Sequence, residues 1–147
     1  MIGTADEGPR VNILESGDVE IAYLDEGEGP KVLLGHCSAA SHKEWAPLIE
    51  TLVEDWHVLA PDFIGYGQSG PWPAQKPFSI DADVEALLAV AEMAEAPLHL
   101  VGHSYGAALA LEAARTLQDK VKSLTLVEPV SFHLLRLEDL PEWQDVE

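Results

Sequence analysis

Leu98-His99-Leu100-Val101-Gly102-His103-Ser104-Tyr105-Gly106, followed by the alanine-rich run from Ala107 to Leu117, is the most informative stretch of the chain. Its first four residues form a short apolar run suited to a buried strand, and the segment from Tyr105 onward reads as a helix. A Gly-x-Ser-x-Gly at such a junction describes a sharp turn that lifts the serine hydroxyl above the sheet edge. Only glycines let neighbouring backbone pass that close. Ser104 is thereby the candidate nucleophile.

Working outward, strands and helices alternate. Val11 to Leu14 and Val19 to Leu24 predict two strands joined at Ser16-Gly17-Asp18, a hairpin. Lys31 to Leu34 predicts a short buried strand. Ser41 and Glu44 then have capping-box spacing, and Trp45, Leu48, Ile49, Leu52 and Val53 share one helical face. His57 to Ala60 is the next strand, stopped by Pro61. Asp62 to Pro77 is turn-rich, Ser79 to Glu95 a second helix, and Val121 to Val127 the strand after the Tyr105 helix. This alternation implies crossover units, hence an α/β fold with a mostly parallel sheet and flanking helices.

Composition narrows the class. A chain of 147 residues with 47% hydrophobic content suits one globular domain. A formal net charge of −18 argues against nucleic acid and anionic membrane surfaces as partners. The single cysteine, Cys37, excludes an intrachain disulfide and suits a reducing compartment. The N-terminus lacks the apolar core of a signal peptide and no apolar run is long enough to cross a bilayer, so a cytoplasmic location is expected. The sequence offers no metal cluster, nucleotide loop or cofactor motif; His36, Cys37 and His42 fit no zinc spacing.

Two further segments carry chemistry. Leu33-Leu34-Gly35-His36-Cys37-Ser38-Ala39-Ala40 follows the third strand. Acyl transfer develops negative charge on the former carbonyl oxygen and needs two fixed N–H donors. The Tyr105 N–H, at a helix start, is one candidate, and the Ser38 N–H in this loop is the other. The third segment is Asp62-Phe63-Ile64-Gly65-Tyr66-Gly67-Gln68-Ser69.

These segments, in this order and spacing, resemble the α/β-hydrolase superfamily from about Val11 to Pro129. His36 and its neighbours resemble the histidine-glycine oxyanion motif, with Cys37 standing where glycine is usual. Asp62 to Ser69 resembles the Asp-x-x-Gly-x-Gly-x-Ser turn, and Ser104 matches the nucleophile. The resemblance implies a serine hydrolase for a small ester or related acyl substrate. It equally implies carbon–carbon hydrolases, cofactor-free peroxidases and acyltransferases, and a non-catalytic small-ligand-binding protein is the alternative from another class.

In the family the acid and histidine follow the serine in loops after later strands. About six strands are counted here, where the family has eight. Residues 1–128 are therefore expected to be the N-terminal part of the core and 129–147 the start of a cap, with the C-terminal remainder in the same protein or a second chain. Some relatives place the acid after the strand that follows the elbow helix, and Glu128 matches that position; a strand-end acid entering a lid is the alternative. His133 matches no known base position, and His103 is expected to point away from the reaction face. His36 is expected to orient its own loop, and His42, His57 and His99 to be structural. Cys37 is expected to be a small buried residue rather than a second nucleophile, and Asp62 to bind backbone N–H groups. Phe63, Ile64, Trp72 and Tyr105 suit either an apolar site or ordinary packing.

Overall fold

A computed structural model describes residues 10–95 and 97–130. His133 and nearly all of the expected cap segment lie outside these residues. The strands are β1 (Val11–Ser16), β2 (Val19–Glu26), β3 (Lys31–Gly35), β4 (His57–Pro61), β5 (Leu98–His103) and β6 (Val121–Val127); the α-helices are α1 (Ala46–Leu52), α2 (Ile80–Glu92) and α3 (Tyr105–Leu117). The strands form one sheet in the order β1-β2-β4-β3-β5-β6. β1–β2 and β2–β4 are antiparallel, whereas β4–β3, β3–β5 and β5–β6 are parallel.

Parallel strands joined by crossover helices are covered on both faces, which is why β3, β4 and β5 read as near-continuous apolar runs. On one face Leu33, Leu59 and Leu100 pack under α2 and α3, against Leu87, Val90, Leu109 and Ala110. On the other, Val32, Leu34, Val58 and Ala60 meet Ile49 of α1. Leu33 and Leu100 are fully buried, so truncating either to alanine would cost about 3 kcal/mol. Small residues at Ala107, Ala110 and Ala113, all fully buried, let α3 lie close to the sheet.

The predicted helix beginning at Ser41 is split. His42–Trp45 is a 3-10 turn, and the α-helix starts at Ala46. Pro47 explains this, because it has no N–H to continue an α-helical ladder across the segment. The Ser41 hydroxyl accepts from the Lys43 N–H at 3.3 Å, but Glu44 does not close a capping box; its carboxylate goes elsewhere.

The two sheet edges differ. The β1–β2 hairpin closes one side, while β6 pairs with β5 alone among the described residues. Leu124 and Leu126 of β6 pack toward α3, whereas Ser123 and Thr125 are exposed on the face that short α1 does not reach. No described helix is long and apolar enough to cross a membrane.

Candidate active site

The strand-to-helix junction is an elbow. Ser104 has φ 53 and ψ −111, a region that costs a non-glycine residue on the order of 1–3 kcal/mol. The surrounding backbone holds it there. Its N–H donates to the Val127 carbonyl at 2.9 Å, and its own carbonyl accepts from Ala107 at 3.1 Å. A Cβ at Gly102 would lie 2.4 Å from the Gly106 carbonyl oxygen; one at Gly106 would lie 2.4 Å from the carbonyl oxygens of both Gly35 and His36. Both glycines are therefore demanded by packing, and the start of α3 is pressed against the loop that follows β3. The Ser104 side chain caps no helix N–H and makes no hydrogen bond among the described residues, so its hydroxyl is available.

The two expected oxyanion donors lie in the loop after β3 and at the start of α3. Tyr105 opens α3, where the first N–H groups have no acceptor within the helix. The Ser38 N–H makes no hydrogen bond among the described residues, in a turn where Ala39 adopts φ 60. His36 fixes the root of that turn. The Phe63 N–H donates to its Nε2 at 3.0 Å, so that nitrogen is bare, and Nδ1–H donates to the Cys37 carbonyl at 2.7 Å. Burial lowers the His36 pKa and keeps the ring neutral. His36 is an anchor for its loop, as its place in the sequence suggests.

The Asp62 turn is likewise a clamp. Asp62 Oδ1 accepts from the His42 N–H at 2.7 Å and from His42 Nδ1 at 2.8 Å, and Oδ2 accepts from the Gln68 N–H at 2.8 Å. Burial alone would raise this carboxyl, but these donors together hold it below its ordinary value. Ser69 donates to the Asp62 carbonyl at 2.6 Å and accepts from the Ala22 N–H at 2.8 Å.

Two carboxylates, those of Glu44 and Asp83, show arrangements that the sequence does not display. Glu44 Oε2 accepts from the Cys37 N–H at 2.7 Å, and Oε1 takes the ring of His103 at Nδ1. One carboxylate thus ties the β3 loop to the elbow. Burial opposes its charge, but the Cys37 N–H and His103 hold the Glu44 pKa below the usual value. Asp83, fully buried in the first turn of α2, accepts from the Tyr105 hydroxyl at 2.6 Å and from the Ile64 N–H at 2.9 Å. Burial raises the Asp83 carboxyl, and burial together with Asp83 raises the Tyr105 phenol.

The remaining described histidines are engaged away from Ser104. His57 lies between Asp25 and Lys31, both at 2.5 Å, and His99 meets the Ser123 hydroxyl at 2.7 Å. Glu128 follows β6 with φ 46 and an 86% exposed side chain, its carboxylate 3.8 Å from His103 Nε2. Phe63 and Ile64 belong to the core under α2 and α3, and the Trp72 ring meets Phe78 at 5.2 Å, so these three are packing residues.

A mostly parallel sheet of this order with a serine on a strained elbow is the frame of the α/β-hydrolase fold. The profile of the alpha/beta hydrolase fold family matches residues 30–147, and the chain belongs to that family. It is 39% identical over 103 residues to the lipase LipV of Mycobacterium tuberculosis, a match spanning 69% of this chain and 38% of that protein. It is 36% identical over 102 residues to the pimeloyl-[acyl-carrier protein] methyl ester esterase of Methylococcus capsulatus, spanning 69% of this chain and 37% of that one. Among solved structures, ALR0039 of Nostoc sp. PCC 7120 superposes with a TM-score of 0.80 at 25% identity, covering 93% of this chain and 48% of its own. The chain spans less than half the length of each of these relatives.

Proposed function

We propose that this chain carries the nucleophile and oxyanion hole of a serine hydrolase acting on a small ester or related acyl substrate. The observation that carries the reading is Ser104, held at φ 53 on a glycine-packed elbow with its hydroxyl unspent. Ester hydrolysis is favoured because LipV and the methyl ester esterase are named for it.

In this mechanism Ser104 Oγ attacks the acyl carbon while a histidine takes its proton. The Ser38 and Tyr105 N–H groups hold the resulting oxyanion; such a donor is worth on the order of 3 kcal/mol in the transition state. Collapse expels the alcohol, which recovers the proton from the imidazolium, and water then releases the acid. The five described histidines are all committed to other partners. The base therefore comes from polypeptide outside residues 10–130, in the C-terminal remainder of the fold. Glu128, which follows β6, is the acid proposed to orient it.

Turnover of short-chain p-nitrophenyl esters by the full-length protein tests this reading. Ser104→Ala should lower turnover by roughly a millionfold once the triad is complete. Specific ligand binding with no turnover would favour a non-catalytic binding protein instead.

A further inference from the structure

Cys37, Glu44 and His103 stand beside the elbow and take no part in the chemistry above. They come from the β3 loop, the 3-10 turn and the end of β5, and one donor atom of each lies within 4.8 Å of the other two. We propose that these three side chains bind a divalent cation of borderline softness, Zn2+ foremost, at the junction between the oxyanion loop and the elbow.

Thiolate, imidazole and carboxylate are the donors that zinc takes, at about 2.0–2.3 Å from the ion. Ligands around a tetrahedral ion then stand roughly 3.5 Å apart, so an ion entering this cluster draws its wider pairs together and parts Glu44 from His103. Glu44 is prepared for the role: its Oε2 is fixed by the Cys37 N–H at 2.7 Å, leaving Oε1 to face the ion. A ligating carboxylate is ordinarily steadied by such an outer hydrogen bond. Oε1 and His103 Nδ1 already meet across a proton, which the cation replaces. The carboxylate of Glu128, 3.8 Å from Nε2 of the same ring, adds negative potential.

The protons balance simply. The Cys37 thiol loses its proton to solvent and becomes the thiolate ligand. A neutral His103 gives its Nδ1 lone pair to the ion while its ring proton moves to Nε2. Three protein ligands leave a fourth position for water. Occupancy would join the loop bearing Ser38 to the turn bearing Ser104.

Cys37 is the one cysteine among these 147 residues, so Cys37→Ser removes the sulfur ligand of this site and no other group in it. Chelator-stripped full-length protein is titrated with Co2+ and followed optically, then with Zn2+ against a chromophoric chelator. The proposal expects one equivalent of Co2+ to give a thiolate-to-cobalt charge-transfer band in the near ultraviolet. Zn2+ should erase that band. Cys37→Ser should abolish it and weaken Zn2+ binding by roughly 100-fold, and Glu44→Gln by roughly tenfold or more. A missing sulfur band in the parent protein, or unchanged Zn2+ affinity in a folded Cys37→Ser variant, would mean an adventitious ion only and would overturn the site. Neither readout depends on Ser104 being reactive, so the result stands apart from the hydrolase reading.

Discussion

The turn after β4 and the turn after β5 use the same materials for opposite ends. Both sit at the C-terminal end of a core strand, and both place residues at positive φ, Gly65 and Gly67 in one and Ser104 in the other. In the first, the carboxylate of Asp62, the ring of His42 and the hydroxyl of Ser69 are all consumed by internal hydrogen bonds. In the second, backbone bonds and the Glu44–His103 contact hold the turn, and the hydroxyl of Ser104 is left over. Unspent hydrogen-bonding capacity on a strained, rigid turn separates the proposed reaction site from the clamp.

Breaking the clamp should cost the most stability. Asp62→Ala strands the buried ring and N–H of His42 and also frees the Gln68 N–H, so unfolding in urea should show a loss on the order of 4 kcal/mol. Next is Gly106→Ala, whose methyl group would collide with two backbone carbonyls; a loss of about 3 kcal/mol is expected from the same measurement. The two serines should then move stability in opposite directions. Ser69→Ala leaves the Ala22 N–H without its acceptor and should cost about 1.5 kcal/mol. Ser104→Gly relieves the elbow and should stabilise by about 1 kcal/mol while ending catalysis.

The smallest effect is read in pH. The folded-state pKa of His36 is depressed below its ordinary 6.5 by burial. Its contribution is therefore fully present above that value and is lost as pH falls toward the folded pKa, where the ring must charge and the Phe63 N–H loses its acceptor. Thermal melts between pH 7 and pH 5 should show this decline, and His36→Gln should flatten it.

Local pattern and long-range pairing explain what the sequence discloses. The elbow is legible because strand, Gly-x-Ser-x-Gly and helix are contiguous, and α3 and β6 fall on Tyr105–Leu117 and Val121–Val127 as the periodicity predicts. The Asp62 turn is legible for the same reason, since Gln68 and Ser69 are close neighbours in sequence. Glu44 misleads because its capping-box spacing to Ser41 is local, while its partner His103 lies 59 residues away. Asp83 looks like a helix-surface acid until α2 packs it against Tyr105, 22 residues on. The split at Ala46 could have been read from Pro47, which the apolar periodicity obscures.

Covalent labelling tests directly whether Ser104 is a nucleophile. The full-length protein is incubated with a fluorophosphonate, digested, and the modified residue located by mass spectrometry. A single adduct on Ser104, absent from Ser104→Ala, is the expected result. Failure of the folded protein to react, or equal labelling of the alanine variant, would contradict it.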